Sequence, residues 1–420
     1  MTRTERQREA VRSWIKSKGK GTIEAGTGFG KTRISLMAIK ALLKKYPQFR
    51  ILVVVPTETL HKQWLNHVEE WGFQFNVEVV IINTCVKHTW NCDMLVIDEI
   101  HRCGADQFSQ VFSKVKYKLI LGLTATLERL DGKHILIEKY CPIVDCIPTI
   151  ECLVNGWISQ YKEYQVLIEV DDIQEYKNLN KEWIEHFEFF QYDFGLAMSM
   201  VKKDVGWKNK IAYRDRLYQG DDEDMKKQVL QAINYHSGRF TQTMSKRKAF
   251  INNHPKKIEI AKKIMEARSE NKIITFSNNV QMAEMIENGN NVYTGQTSKK
   301  KSRIMIEDFA AGKIKTIHSC KKLDEGFDVP DASVAIILGF DSSEIKSTQR
   351  RGRVVRQYEN KIAEIFYIVI KDTQEEKWFK NSHSSTNNYL TIDEENLDKV
   401  LRGEQPELYK KKLGELMFRF

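Results

Sequence analysis

Cysteine is scarce in this chain, seven among 420 residues, and the number is odd. That excludes a disulfide-stapled framework and points to a reducing, intracellular setting. No C-x-x-C pair occurs. Cys141, Cys146 and Cys152 cluster loosely, but without a histidine pair nearby they complete no zinc pattern and are expected to be buried single thiols. Long apolar runs are missing too. The longest notable one, Ile51 to Val55, is strand-sized against the roughly 20 residues of a bilayer span. The charged first fourteen residues lack the apolar core of a signal peptide, so a cytoplasmic protein is expected. There is no low-complexity tract and no repeat of fixed period. What is present is globular: 41% hydrophobic and 29% charged residues exclude a disordered or collagen-like chain. So long a chain exceeds one core and predicts two domains. Lys+Arg 66 against Asp+Glu 56 leaves +10, an excess that favours polyanionic partners.

Short apolar runs at 51–55, 79–82, 94–97 and 119–123, with a helical stretch at 34–43, predict a parallel sheet covered on both faces. Residues 1–160 therefore form one α/β domain. Over 161–252 the character changes: after one alternating segment at 164–170, charged and aromatic residues dominate and a mostly helical insertion is expected. Alternation resumes at 272–276, 314–317, 334–338 and 365–370, with a helix near 299–311, giving a second α/β domain over 253–371. Residues 372–420 read as a charged helical extension.

Residues 25–32, AGTGFGKT, fit a phosphate loop. Gly26, Thr27, Gly28 and Gly30 permit a tight loop whose N–H groups meet phosphate oxygens at a helix N-terminus. Lys31 would neutralise the β- and γ-phosphates, and Thr32 would ligate Mg²⁺. Downstream, Asp98 and Glu99 end an apolar strand, at the sheet edge where such folds bind ligands. Asp98 can hold Mg²⁺, and Glu99 is placed to orient and deprotonate an attacking water. Alone, an acidic pair is more often a solvated loop; the phosphate loop upstream reverses that judgement.

The phosphate loop, the DEIH box at 98–101, Thr124-Ala-Thr126 and QRRGRVVR at 349–356 occur in the order found in superfamily 2 helicases, and the sequence resembles that superfamily over both α/β domains. The resemblance implies two RecA-like parallel-sheet lobes, ATP and Mg²⁺ as cofactors, and nucleic acid as partner. It makes Gln7 an adenine-reading glutamine, preceded by Arg6 where an aromatic residue is common. PTETLHKQW at 56–64 is similar to a strand-contacting motif containing Thr57; Thr84 and Ser277 resemble further backbone contacts. LDEGFDVP at 323–330 brings Gly326 and Asp328 to the nucleotide, with Cys320 standing where a threonine is usual. His101, Thr124 and Thr126 would couple the lobes. Gln349, Arg353 and Arg356 would complete catalysis; the two arginines, three apart, share a helix face and suit charge stabilisation on a transferring phosphate.

The stretch GLTATLERLDG at 122–132, the proline-threonine start of 56–64 and the short linker at 151–157 resemble the branch of XPB-like and phage UvsW-like enzymes. That implies a DNA helicase working on forks and four-way junctions in recombination, repair or replication, in host cytoplasm if phage-encoded. Two rivals share these residues: a duplex translocase or RNA helicase with the same motor, and an ATP-switched clamp that does not hydrolyse. Within the insertion, Lys202, Lys203, Lys208, Lys210, Arg214 and Arg216 interleave with Trp207 and Tyr213. They predict either a nucleic-acid clamp, with Lys208 and Lys210 in contact, or an aromatic core under a solvated charged face.

Overall fold

The computed structural model describes residues 1–129, 131–287, 290–320, 332–340, 362–383 and 389–406. Its first lobe is a six-stranded sheet of β1 (Lys20–Ala25), β2 (Ile51–Val55), β3 (Val77–Ile81), β5 (Met94–Asp98), β7 (Leu119–Thr124) and β8 (Ile143–Ile147), in the order β3-β2-β5-β7-β1-β8. Every pairing in it is parallel. The two-residue strands β4 (Trp90–Asn91) and β6 (Val115–Lys116) pair with each other beside it. Strand β2 shows why uninterrupted apolar runs were needed. Ile51, Val53 and Val55 enter one core cluster, while Leu52 and Val54 enter the cluster on the opposite face. A strand alternates its side chains between faces, so a sheet covered twice requires both sets to be apolar.

The second sheet contains β9 (Tyr161–Ile168), β10 (Ile273–Ser277), β11 (Val292–Tyr293), β12 (Thr316–Cys320), β13 (Val334–Ile337), β14 (Ala363–Ile370) and β15 (Leu390–Ile392), ordered β11-β12-β10-β13-β14-β9-β15. It too is wholly parallel. Here the structure departs from the expected boundaries on both sides of the second lobe. Strand β9, expected as an alternating prelude to the insertion, lies between β14 and β15 and pairs with β14 over eight residues. The C-terminal extension, expected to be helical, contributes β15, and Leu397 and Val400 of helix Glu394–Leu401 enter the lobe's core.

Between β9 and β10 the chain is helical, as expected. Helices Ile173–Glu188, Phe194–Ser199, Gly206–Leu217 and the 31-residue Glu223–Asn253 surround a separate core of Phe190, Ala197, Met200, Tyr213, Ile233 and Phe240. All seven cysteines are free and six are buried; Cys146 is exposed, against expectation. Among the described residues no group of three or more potential metal ligands occurs, and no helix is long and apolar enough to cross a membrane.

Candidate nucleotide site

The strand order assembles the site. Along the carboxyl edge of the first sheet, β3, β2, β5, β7 and β1 lead respectively to Thr84, Thr57, Asp98, Thr124 and the phosphate loop. Adjacent parallel strands are about 4.8 Å apart, so the loop after β1 and Asp98 after β5 stand roughly 10 Å apart with Thr124 between them. Residues scattered over a hundred positions become one row.

In the loop, Gly28 and Gly30 have φ of 87° and 98°, values that L side chains rarely adopt. Gly30 caps helix Lys31–Lys45 without any side-chain hydrogen bond. The first-turn N–H groups are thus left to an anion. A Cβ on Gly30 would stand 2.8 Å from Gln7 Nε2, so the N-terminal helix closes tightly over the loop. Gln7 is 1% exposed; its Nε2 donates to Phe29 O at 2.9 Å, and among the described residues its buried Oε1 has no partner. Arg3, one turn earlier on the same helix, donates from Nε to Phe29 O at 3.0 Å and from Nη2 to Gly28 O. Arg3 was not singled out from sequence, although its four-residue spacing from Gln7 puts both on one helix face. Arg6 is a clamp: it pairs both Nη atoms with Asp145 at 2.7 and 2.8 Å and Nε with Glu151 at 2.9 Å, tying the N-terminal helix to β8 and helix Thr149–Val154. Lys31 Nζ reaches Ala25 O at 3.3 Å.

Asp98 is 7% exposed, its Oδ2 accepting from Trp64 Nε1 at 2.9 Å and its Oδ1 from Glu99 N at 3.1 Å. Burial, followed by the Glu99 charge, pushes its pKa up to about 6. Each oxygen keeps a lone pair that can still meet a cation. Glu99 has φ of 52°, a left-handed conformation costly for a side-chain-bearing residue and typical of functional turns. His101 Nδ1 lies 3.0 Å from Thr124 Oγ1. That hydroxyl donates to Thr126 O at 2.8 Å and accepts from Thr126 N at 3.2 Å, so the imidazole proton belongs on Nδ1. Glu99 Oε2 is 3.4 Å from the same nitrogen, whose proton is directed at Thr124; the oxygen is buried without a hydrogen-bond partner among the described residues. Burial brings His101 down to about 4, keeping it neutral at pH 7. Two further links escaped sequence reasoning: Glu24 Oε2 accepts from Leu127 N at 2.8 Å, and Arg129 Nη1 donates to His101 O at 2.9 Å.

The arrangement fits a nucleoside triphosphate with its divalent cation: an uncapped helix N-terminus, a free buried acceptor on Gln7, and a free buried carboxylate oxygen on Glu99. Thr32 and Asp98 are the residues that would hold Mg²⁺, which supplies charge neutralisation of the phosphates. Because protonation of Asp98 competes with a cation, ATP turnover should fall as pH drops through about 6. Trp64→Phe removes the N–H that opposes this protonation. The fall should then move to higher pH and the Mg²⁺ needed for half-maximal rate should rise several-fold; an unchanged Mg²⁺ titration would exclude that role for the indole.

The remaining expected contacts separate. Thr57 caps helix Glu58–Glu70 by accepting from Leu60 N at 3.3 Å, and Thr84 is exposed in helix Ile82–Cys85. Ser277, expected at a phosphate backbone, is placed where β10 ends. It is 1% exposed and its Oγ donates to Asn279 O at 2.8 Å, inside the turn that follows β10. Lys208 is exposed, whereas Lys210 Nζ donates to Asn234 Oδ1 at 2.8 Å. Tyr213 is core, its hydroxyl donating to Phe189 O at 3.0 Å, and Trp207 is 63% exposed. Gly326, Asp328, Gln349, Arg353 and Arg356 lie outside the described residues.

Residues 1–89 and 83–129 match the family described as type III restriction enzyme, res subunit, and residues 256–357 match the helicase conserved C-terminal domain. The DNA 3′-5′ translocase XPB2 of Sulfurisphaera tokodaii is 27% identical over 387 residues, covering 87% of this chain and 81% of the relative. The chain thus carries both helicase-type domains in order and is similar to superfamily 2 helicases. Two solved structures share its fold. The helicase domain of Pyrococcus furiosus Hef is 18% identical with a TM-score of 0.51, covering 88% of this chain and 97% of that one. S. cerevisiae Dbp5 bound to RNA and ADP BeF3 is 13% identical with a TM-score of 0.59, covering 94% and 91%. The helicase domains and the helicase and translocase relatives make the protein a nucleic-acid-dependent ATPase. The C-terminal helicase match contains Gly326, Asp328, Gln349, Arg353 and Arg356 within its span.

Proposed function

We propose that this helicase translocates on DNA and remodels branched DNA, forks and four-way junctions, using ATP. The observation that carries DNA over RNA is the likeness to a DNA translocase across 87% of the chain. The branched substrate is supported by the GLTATLERLDG phrasing and by a helical insert that interrupts the second sheet's sequence between β9 and β10. In this reading Gln7 selects adenine, residues 26–32 hold the phosphates, Glu99 activates water, and Arg353 and Arg356 stabilise charge from the second lobe. His101, Thr124 and Thr126 relay the state of the nucleotide. Thr57 and Thr84, on neighbouring strand ends, contact the phosphate backbone. Such contacts are sequence-independent and salt-sensitive.

Steady-state ATPase at fixed salt with single-stranded DNA, duplex, fork, four-way junction and single-stranded RNA tests the assignment, with Lys31→Ala as the blank. Strongest stimulation by fork or junction is expected. Equal stimulation by plain duplex, or a preference for RNA, would remove the branched-DNA reading and leave the motor. Rates at background with every nucleic acid would favour the ATP-switched clamp. Lys208→Glu with Lys210→Glu should weaken DNA binding and flatten its salt dependence, by about one unit of slope for each phosphate that is no longer neutralised.

A further inference from the structure

The helical insert carries an exposed tip that the nucleotide site does not use. Gly206 N donates to Lys202 O at 2.8 Å, and a Cβ on Gly206 would stand 2.7 Å from Met200 O. The turn at 201–205 is therefore folded tightly against the end of helix Phe194–Ser199. Gly206 is buried in this contact, and the next residue, Trp207, faces outward at 63% exposure. Val201 and Val205 are partly exposed beside it.

Around this indole the charges are mostly positive. Lys202, Lys203 and Lys208 are all exposed, and no ion pair engages them among the described residues; Asp204 is the lone carboxylate in the turn. Farther along the helix Lys210 is occupied by Asn234 and Arg214 by Asp215, each at 2.8 Å, while Arg216 is exposed near the helix end. Tyr213 is spent in the insert's own core. At the tip, the interleaved aromatic and basic pattern of this stretch thus resolves into one exposed aromatic ring with three free lysines beside it. A single exposed hydrophobic side chain is ordinary, but protein–protein interface cores are depleted of lysine. Aromatic rings set in a basic track are the construction used for unpaired bases, because every base offers a π-face and every linkage a phosphate.

We propose that Trp207 is a base-stacking platform for single-stranded nucleic acid. An unpaired base lies on the indole, and Lys202, Lys203 and Lys208 neutralise the phosphates on either side. The proposal rests on the DNA-translocase reading and sharpens it, placing on the insert a contact that recognises unpaired bases.

The test uses the full chain and two labelled probes of equal length, a mixed-sequence single-stranded deoxyoligonucleotide and an abasic deoxyribose-phosphate chain. Trp207→Ala should weaken binding to the oligonucleotide about ten-fold and leave binding to the abasic chain as in the wild type. Trp207→Phe should keep most of the affinity, since it keeps a ring. Unchanged oligonucleotide affinity in Trp207→Ala would overturn the proposal, and so would an equal loss on both probes. Failure of the underlying reading looks different: the wild type itself would show no ATPase stimulation by any DNA.

Discussion

Glu99→Gln is expected to lower ATP turnover by roughly 10²–10⁴-fold, the range that a positioned general base contributes, while ATP binding persists. The substitution keeps the size and one acceptor oxygen but removes the basic carboxylate. It touches neither the loop at 26–32 nor Gln7, which stand on β1 and the N-terminal helix. Glu99 is held in a left-handed turn with one oxygen buried and, among the described residues, unpartnered, a costly arrangement of the kind that clusters at functional turns. Single-turnover hydrolysis and binding of a fluorescent nucleotide analogue separate the two quantities. Turnover within a few-fold of wild type would remove Glu99 from its role. Loss of nucleotide binding would mean that the change acts through the structure of the site.

The parts of this site that were legible from sequence share a physical property: their chemistry is local. A phosphate loop needs glycines, a lysine and a following helix within eight residues, and 25–32 supplies all of them. Asp98 follows four apolar residues and so falls at a strand end. Contacts across the lobe left weaker marks. Trp64 lies 34 residues from Asp98, and its hydrogen bond exists because β2 and β5 are neighbours. No periodicity announces that pairing. Strand β9 was recognisable as an alternating segment, yet its partner β14 comes two hundred residues later, and in a parallel sheet the order of strands is set by crossovers that composition does not record. In the insert, Trp207 and Tyr213 looked alike. Tyr213 points into the packing of helix Gly206–Leu217 against Glu223–Asn253, and Trp207 begins the helix where nothing covers it. Ser277 likewise gave no sign in sequence that its hydroxyl is turned inward to Asn279 O.

The largest stability effect is expected at Lys257 and Glu375, both fully buried in the second lobe and paired at 2.6 Å. Lys257 Nζ also donates to Leu338 O at 2.8 Å, and Glu375 Oε2 accepts from Ile370 N at 3.0 Å. The pair thus joins helices Pro255–Ala267 and Gln374–Ser382 at the carboxyl ends of β13 and β14. Burial pulls Lys257 down and pushes Glu375 up, and each partner's charge opposes the other's shift. Lys257→Met leaves the carboxylate without its cation and should cost about 3–5 kcal/mol in denaturant unfolding. The sign of its pH dependence follows. The lone carboxyl in the folded state has a pKa above its unfolded value, so the folded state takes up a proton first, and stability is lost as pH rises through the folded pKa. The deficit should therefore be larger at pH 8 than at pH 5. Lys257→Met with Glu375→Gln should recover much of the loss, because glutamine carries no charge and can still accept from Ile370 N. Position adds a mechanical consequence. Three residues before Lys257, His254 Nε2 meets Asp172 Oδ1 at 2.9 Å, so both ends of the helical insert are fastened at the same point. Weakening the buried pair loosens the base on which the insert stands. DNA affinity in Lys257→Met should then fall together with stability and return in the double variant; a deficit that ignored pH and persisted in the double variant would assign the loss to packing of the lysine stem instead of its charge.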